Sequence, residues 1–592
     1  MTVSEYIIDF LEHKGIDSAF AVIGSTAMWL FHALGDSKQI KTICTNHEQA
    51  AAMAADGWSC LKGFPGVVFL TNGPGVTNAL SGVAQAWTDS VPLLVVSGES
   101  NTRAMELERT QPIRQYGPQS VRTREIVGSV VKYYHLLDQA SDVRKVMEEA
   151  YLKATEGRPG PVWISVPVDI QNAKLPDKLE GYIQPKEEIR DTSAAAAEVK
   201  AALLGCRRPL IIAGQGVRQS GAAEALRLFA EKYQIPVVTS RMGNDVMETN
   251  HPLFIGRPGN WGSRASHFAI QTADVILVLG SRLSPNTTGH TPAEFAPEAR
   301  KYMVDVDPAE FQKPGISFAA CIHQDAFRFL EEMEAAPIED KKRVERQNWC
   351  KRCRSWKDRY PVMTPEYRTA RPMSTYHFID RLSAMAEEDD VIFSDTGSCC
   401  NIVSQVWEVK KGQRLRVSGG LSCMGYWATA IGAAQANRGQ KGRVLCVVGD
   451  GSLQMNIQEF GTVSLYQLPI KLFVINNNGY QIIRISQRAY MNDDFFAISP
   501  QTGVGLADTQ RIAAAYGIAY QKLADPAKAD EAIQWAFAQK NAAILEVVVN
   551  EDQVMLPRLT SKVQPDGTLK SAAFEDLAPF LSEEELNCNL KG

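Results

Sequence analysis

The segment Val447-Val448-Gly449-Asp450-Gly451-Ser452, followed further on by Phe473-Val474-Ile475-Asn476-Asn477-Asn478-Gly479, decides how this chain is read. Each half is an apolar run that ends in a turn of Gly, Asp and Asn, as a buried strand leading into a loop does. In a parallel sheet ligands gather beyond the carboxyl ends of the strands, so both turns can face one pocket. Asp450 then offers a hard carboxylate oxygen and Asn477, 27 residues later, an amide oxygen. Mg²⁺ prefers octahedral oxygen coordination shared between protein and phosphate oxygens. Asp450, Asn477 and the backbone carbonyl of Gly479 would be its protein ligands. Gly449 and Gly451 let the backbone approach the phosphates, and the helix that follows favours an anion at its start. Taken singly, Gly-Asp-Gly-Ser is a helix-entry turn and Asn-Asn-Asn-Gly another turn. Their spacing and their position at strand ends point to a diphosphate and a divalent cation.

Outward from this segment one rhythm runs along the chain. Short apolar runs at Val67–Leu70, Leu93–Val96, Val162–Ile164, Leu210–Ile212, Val275–Leu279, Val391–Phe393, Val444–Val448, Leu472–Ile475 and Ile544–Val548 alternate with longer helical patterns. That predicts an α/β fold of repeated βαβ units on mainly parallel sheets flanked by helices. Asn172–Ser193 and Ala335–Met373 are charged, lack periodicity and read as linkers. The 592 residues then divide into an N-terminal domain over 1–175, a central domain over 195–335, a C-terminal domain over 370–555 and a tail over 556–592. Each of the three blocks has an ordinary domain size.

Apolar residues at 45%, charged residues at 22% and a net charge of −5 describe a globular protein with no electrostatic pull toward nucleic acid or anionic membrane. Small molecules are the expected partners. Met1–Gly15 reads as an amphipathic surface helix rather than a signal peptide, and no run of about 18 apolar residues predicts a membrane span. A cytoplasmic location is expected. The eleven cysteines are scattered; Cys350 and Cys353 have no second pair and no paired histidines, so free thiols are a better reading than zinc.

The two turns resemble the GDG…NN motif of thiamine-diphosphate enzymes. In that family a glutamate from the first domain hydrogen-bonds the cofactor's aminopyrimidine ring and promotes its activation; Glu48, in Thr45-Asn46-His47-Glu48-Gln49, matches it. By itself Glu48 is a helix cap or a solvated charge. Its company favours the functional reading: Gly66–Asn78 resembles the family's strand and Gly-Pro-Gly turn, Asp89–Leu94 its next strand, and Gly157–Val162 the start of the domain's last strand. The likeness runs nearly the whole length and is closest to the acetohydroxyacid (acetolactate) synthases. Ser418–Tyr426 resembles the segment whose methionine wedges under the bent cofactor, a role that falls to Met424; the plainer alternative is a core methionine. Gln119, in Gly117-Pro118-Gln119-Ser120, matches a glutamine near the reacting carbon, with Gln115 as a competitor and a surface glutamine as the alternative. The resemblance further implies thiamine-diphosphate contacts from Gly24, Gly73, Gly397, Ser398, Gly449, Gly451, Ser452, Asn477, Gly479 and Tyr480.

In the central block Ala213–Gly216, Gly256–Gly262, Gly280–Arg282 and Asp305–Pro308 fall where flavin-binding synthases contact FAD. This implies FAD held by Gly214, Gly216, Gly259, Arg282, Asp305 and Asp325. Glycines after strands let a pyrophosphate approach backbone amides, Arg282 would pair with a phosphate, and Asp305 would accept from a ribose hydroxyl. The competing reading is turns that maintain the fold without a ligand. The proposed chemistry needs no hydride acceptor, so a flavin would be structural.

Three positions depart from the synthase pattern. An arginine and a tryptophan that line the family's acceptor site correspond here to Asn286 and Ser486, and the glycine-rich loop reads Gly24-Ser25-Thr26-Ala27-Met28. A roomier, more hydrogen-bonding acceptor pocket is expected. Asn477–Arg484, Thr502–Gly505 and the tail, with Leu556-Pro557-Arg558, Asp566-Gly567 and Glu575-Asp576, resemble a subgroup associated with branched surface-polysaccharide sugars. The expectation is a decarboxylating carboligase that moves an acyl unit from pyruvate or a similar 2-oxo acid to an acceptor carbonyl. A plain acetolactate synthase, a decarboxylase, a cyclic-diketone hydrolase and a non-catalytic binding protein are the alternatives. Because the family's cofactor spans two subunits, a homodimer or homotetramer is expected.

Overall fold

A computed structural model describes residues 1–185, 190–563 and 569–591. Residues 186–189 of the first linker and the tail pair Asp566-Gly567 lie outside the described residues.

The first sheet contains β1 (Ser18–Ala21), β2 (Lys41–Cys44), β3 (Gly66–Leu70), β4 (Leu93–Glu99), β5 (Tyr133–Leu136) and β6 (Val162–Pro167), in the order β2-β1-β3-β4-β6-β5. The second contains β7 (Pro209–Ala213), β8 (Val237–Thr239), β9 (Phe254–Gly256), β10 (Val275–Leu279), β11 (Arg300–Asp305) and β12 (Ala320–His323), in the order β12-β11-β10-β7-β8-β9. The third contains β13 (Val391–Ser394), β14 (Arg414–Val417), β15 (Val444–Gly449), β16 (Ile470–Asn476), β17 (Ala519–Leu523) and β18 (Ala543–Val548), in the order β14-β13-β15-β16-β18-β17. All neighbours within these sheets are parallel. The expected α/β fold of three parallel-sheet domains is therefore present. Strands covered on both faces need continuous apolar sequence, which is why β3, β4, β6, β7 and β10 are buried along their whole length.

The first and third sheets share one strand order, and it reverses direction between β1 and β3 and between β13 and β15. The central sheet reverses between β7 and β10, in the doubly wound order of dinucleotide-binding folds. At such reversals the loops leaving the strands part, which makes the carboxyl edge the place for a ligand crevice.

The N-terminal domain is joined to the C-terminal domain by the helices Glu48–Lys62 and Thr429–Ala436, which pack along each other. Glycines set their separation. A Cβ on Gly57 would lie 1.9 Å from the Thr429 carbonyl oxygen, and one on Gly432 1.6 Å from that of Ala54.

Reading Ala335–Met373 as a linker is corrected by a 17-residue helix, Arg343–Arg359. Its buried stripe, Arg346, Trp349, Cys350, Cys353 and Trp356, has helical spacing but is too narrow to stand out among the surrounding charges. The stripe packs on the central domain, which so extends past 335. The chain after Leu556 also lies on that domain: Phe574 joins a cluster with Phe268, Phe295, Trp349 and Trp356, and the helix Glu583–Leu590 places Asn589 Oδ1 2.9 Å from Trp356 Nε1, which donates to it. At the other end, Val3–His13 forms the expected amphipathic helix, closed by a Thr2–Glu5 capping box. Among the described residues no helix is long and apolar enough to cross a membrane, all eleven cysteines are free, and no cluster of three or more His, Cys, Asp or Glu side chains could hold a metal.

Candidate active site

The crevice of the third sheet receives the loops that leave β13, β15 and β16. Asp450 begins the loop after β15 and is buried; its Oδ1 accepts from Gly451 N at 2.9 Å and its Oδ2 from Gly479 N at 3.0 Å, so one carboxylate ties together the turns after β15 and β16. Burial pushes its carboxyl up to about 7, more than these backbone donors and the charge of Arg484 offset. Asn477 is 4% exposed and its Oδ1 has no hydrogen-bond partner. An unpaired buried amide oxygen near an under-compensated buried carboxylate is a donor set that fits a hard cation. Arg484 steadies the second turn by donating to the carbonyls of Asn477 at 3.1 Å and Asn478 at 3.2 Å. Gly479 has φ 131°, and a Cβ there would stand 1.8 Å from the Ile498 carbonyl oxygen, so only glycine fits. Gly451 lies under the Tyr480 ring, where a Cβ would meet the ring at 2.4 Å. Gly397, with φ 76°, leads into the helix Ser398–Val406 on the other side of the crevice. The space around Gly397 and Gly449 is open: the nearest atoms to an added Cβ would be Ile482 Cγ1 at 3.8 Å and Cys399 Sγ at 3.9 Å.

Met424 stands beside this crevice on a loop whose peptide groups are held on both sides. Gly425 N donates to Ser452 Oγ at 2.8 Å, and Asn456 Nδ2 donates to the Gly425 carbonyl at 2.7 Å. Asn456 reaches that carbonyl because its backbone breaks from the helical conformation, φ −133°. The start of the loop is gripped by the N-terminal domain: Asp89 Oδ1 accepts from Gly420 N at 2.6 Å, and Gln85 Oε1 accepts from Cys423 N and Ser418 Oγ, each at 3.3 Å.

At the corresponding reversal of the first sheet stand Gly24, after β1, and Gly73, after β3. Gly24 packs so closely on Thr71 that a Cβ would come within 2.3 Å of it. Gly73 has φ 58°, and a Cβ on it would lie 2.2 Å from the carbonyl oxygen of Gln119, itself at φ 58°. Glu48 is the first residue of the helix Glu48–Lys62 and is buried; Asn78 Nδ2 donates to its Oε2 at 3.0 Å. The structure thus brings Gly24, Gly73 and Gln119 to one edge of the first sheet, where Glu48 also begins its helix, and gathers Gly397, Asp450, Asn477 and Met424 at one edge of the third. Gln115 turns away from such a role, since its Nε2 donates to the Ser120 carbonyl at 3.0 Å.

A cavity of about 630 Å³ opens at the reversal of the central sheet. Gly216, Arg282, Asp305 and Asp325 line it, together with Ser90 and Arg158 from the N-terminal domain and Gly419 from the C-terminal domain, so all three domains form its wall. Gly214 lies against Gly280, whose carbonyl oxygen would be 2.1 Å from an added Cβ. Gly214 and Gly259 are not in this wall; the Gly259 loop is held by His267, whose Nε2 accepts from Gly259 N at 3.0 Å. The carboxylate of Asp325 is occupied in capping its own helix, accepting from Phe327 N at 2.9 Å and Arg328 N at 3.2 Å. Asn286 lines the central cavity, whereas Ser486 is outside it and turns its hydroxyl back to the Ile482 carbonyl at 3.1 Å. These two positions do not share that cavity.

Gln85, Asp89, Asn78 and Asn456 were not singled out from sequence. A signal for the first three exists: Asn78, Gln85 and Asp89 recur at helical spacing along one side of the Pro74–Thr88 helix and its cap.

Family models match this chain over all three domains: the thiamine pyrophosphate enzyme N-terminal domain over residues 1–121, the central domain over 196–333 and the C-terminal domain over 395–547. The chain is 30% identical over 568 residues to the acetolactate synthase isozyme 1 large subunit of Escherichia coli K12, covering 94% of this chain and 95% of that protein. It is likewise 30% identical over 578 residues to the acetolactate synthase large subunit of Lactococcus lactis, 95% of each chain, and 30% over 614 residues to a probable acetolactate synthase large subunit of Methanocaldococcus jannaschii, 98% of each. The chain therefore belongs to the thiamine-pyrophosphate enzymes, as a thiamine-diphosphate-dependent enzyme of the acetolactate synthase type.

Proposed function

We propose that this enzyme is a Mg²⁺-dependent decarboxylating carboligase that transfers an acyl unit from pyruvate or a similar 2-oxo acid to an acceptor carbonyl. The observation that carries the reading is the pairing of the unpartnered Asn477 Oδ1 with the buried, under-compensated Asp450 carboxylate beside the fixed Met424 loop. Asp450, Asn477 and the Gly479 carbonyl would hold Mg²⁺; Gly449, Gly451, Ser452, Gly397, Ser398 and Tyr480 would surround the diphosphate. Thiamine diphosphate, when bound, supplies a thiazolium ring that takes up the electron pair of the breaking carbon–carbon bond. Met424 would support the cofactor from beneath. Glu48 would hold an exchangeable proton against the aminopyrimidine ring, oriented by Asn78. Gln119 would face the reacting carbonyl, and Gly24 and Gly73 leave room for the ring beside it.

The cavity at the central reversal suits FAD in a structural role, with Gly214 and Gly216 near the pyrophosphate, Arg282 toward a phosphate and Asp305 toward a ribose hydroxyl. Its wall of three domains supports a ligand that stabilises their arrangement. The N-terminal and C-terminal halves of the site would be completed by a second copy of the chain, in a homodimer or larger homo-oligomer. Asn286 and Ser486, in place of a charge and a large ring, favour a polar acceptor such as the keto sugars of branched surface polysaccharides.

Incubation of the purified enzyme with pyruvate, thiamine diphosphate and Mg²⁺, with 2-oxobutyrate, a second pyruvate or a keto sugar as acceptor, tests the reading through product identification by mass spectrometry. Carbon dioxide release with a ligated product supports it; aldehyde as the sole product with every acceptor overturns the ligase assignment. A clear preference for 2-oxobutyrate overturns the polar-acceptor assignment. Absorption at flavin wavelengths in the purified protein tests the central cavity.

A further inference from the structure

The loop that carries Gln119 is exposed at Tyr116, Pro118 and Gln119, and buried only at Gly117 and Ser120. Both buried points are fastened to one side chain. Glu108, buried in the last turn of the helix Thr102–Thr110, accepts through Oε1 from Tyr116 N at 2.6 Å and Gly117 N at 2.8 Å, and through Oε2 from Ser120 Oγ at 2.6 Å. From the opposite side Asn72 Nδ2 donates to the Pro118 carbonyl at 3.1 Å, and at Gly73 the Gln119 carbonyl leaves no room for a side chain, since a Cβ there would lie 2.2 Å from that oxygen. Gln119 itself is a non-glycine residue at φ 58°. That conformation costs about 1–2 kcal/mol and persists only where the surroundings over-determine it. Charge-assisted hydrogen bonds from Tyr116, Gly117 and Ser120, all converging on one carboxylate, meet that condition. Against burial, which alone would raise it, the bonds from Ser120, Gly117 and Tyr116 hold the Glu108 carboxyl below its ordinary range, so the charged acceptor persists at neutral pH.

We propose that Glu108 is the positioning residue for Gln119: it fixes the left-handed turn that presents the Gln119 side chain, and thereby controls whether the acyl unit is ligated or protonated. This rests on the reading that Gln119 faces the reacting carbonyl. Glu108 touches no reacting atom and acts only through the loop. A loop that relaxes by an ångström withdraws the amide from the acceptor while leaving cofactor and metal in place.

Glu108→Ala, Glu108→Gln, Ser120→Ala, Gln119→Ala and the Glu108→Ala/Gln119→Ala double variant, each in the full-length enzyme, provide the test. The readouts are the ratio of ligated to protonated product from pyruvate, the thiamine-diphosphate affinity by fluorescence titration, and the melting temperature. Gln119→Ala and Glu108→Ala are each expected to lower the product ratio about tenfold or more, with cofactor affinity unchanged, and the double variant to equal Gln119→Ala. Glu108→Gln keeps the shape of the cradle and is expected to recover most of the ratio. Ser120→Ala, which deletes one of the three bonds, falls between and serves if Glu108→Ala does not fold. A normal ratio in Glu108→Ala and Ser120→Ala beside a reduced one in Gln119→Ala overturns the role of Glu108 alone, as does an additive double variant. A normal ratio in Gln119→Ala overturns the reading of Gln119 and the positioning role with it.

Discussion

Asn78 Nδ2 donates to Glu48 Oε2 at 3.0 Å, joining two helices that both begin at the carboxyl edge of the first sheet. The bond fixes a buried carboxylate at a helix start, so that its orientation does not depend on a ligand. Glu48→Gln preserves size and burial but removes the exchangeable proton, and kcat is expected to fall by about 10²–10⁴ with little change in melting temperature. Asn78→Ala leaves the carboxylate in place but loosens it, and a loss of about tenfold is expected from one such bond. Steady-state kinetics beside calorimetry checks both; a Glu48→Gln enzyme of normal kcat defeats the assignment.

The proposed metal site makes a second expectation. Asn477 Oδ1 has no partner, and the two backbone donors to Asp450 do not offset the burial of its carboxylate, so Mg²⁺ with thiamine diphosphate should raise the melting temperature. A ligand at a hundredfold excess over its Kd contributes about 2.7 kcal/mol. In Asn477→Ala that shift should shrink, and in Asp450→Asn, which lacks the charge, it should vanish. Differential scanning fluorimetry with and without EDTA measures it, and an undiminished shift in Asp450→Asn removes that residue from the site.

How much of this was legible follows from chemistry, strand by strand. The runs recognised as apolar became β3, β4, β6, β7, β10, β13, β15, β16 and β18, which occupy the middle of their sheets. Edge strands such as β2, β5 and β12 are short and partly exposed, so their sequences carry mixed rather than continuous apolar character. Asp450 and Asn477 are ordinary turn residues singly and stood out only as a pair, because two such turns end two apolar runs that can face one pocket, whereas Glu48 stood out through the family resemblance alone. Gln85 and Asn456 did not, because their partners, the Met424 loop and Gly425, lie hundreds or tens of residues away and only the folded chain brings them near. The helix Arg343–Arg359 was missed since most of its surface is charged and only its narrow stripe is buried.

Glu99, at the end of β4, predicts a pH dependence of stability. It is fully buried and accepts from Thr123 Oγ1, and burial pushes its carboxyl from 4.5 up to about 7. The folded state therefore holds the proton more tightly than the unfolded chain. The stabilising contribution is complete below about 4.5 and is lost as pH rises to about 7, by about 3 kcal/mol. Glu99→Gln, which carries no charge to bury, should match the wild type near pH 4.5 and exceed it above pH 7. Urea unfolding of both proteins across that range measures the difference, and a gap that does not widen with pH contradicts it.

The contact between the helices Glu48–Lys62 and Thr429–Ala436 tolerates no added methyl group. In Gly432→Ala the Cβ would fall 1.6 Å from the Ala54 carbonyl oxygen, a backbone atom that cannot rotate away. Over-packing of this kind costs about 1–3 kcal/mol or more, and here it would also push apart the helix that begins at Glu48 and the domain that carries Asp450. Gly35→Ala is the control: nothing lies within 4 Å of its Cβ, and in an exposed helix alanine should stabilise by about 0.5–1 kcal/mol. Melting temperatures that fall for Gly432→Ala and hold or rise for Gly35→Ala are expected.

The chain after Met555 is expected to be required for the stability of the central domain, although sequence suggested only a tail. Arg264 is buried and its guanidinium donates to the carbonyls of Leu577, at 2.9 Å, and Pro579. His267, fully buried and pushed down to about 4 by that burial, is neutral and bonded between Phe574 and Gly259. Truncation after Met555 strips both of partners, and an unpaired buried charge alone costs several kcal/mol. It also frees the Gly259–Asn260 loop, which Leu559 N holds through the Asn260 carbonyl at 2.8 Å and which joins Asn286 at the edge of the central cavity. The truncated protein should therefore melt earlier and, where the proposed FAD is bound, release it more readily. Asn589→Ala, which deletes the bonds to Trp356 and Tyr360 but leaves the rest of the segment in place, should cost only about 2 kcal/mol. Calorimetry follows both variants, with absorbance of any released flavin beside it, and a truncated chain that keeps the full-length melting profile would show that the central domain is complete without its last segment.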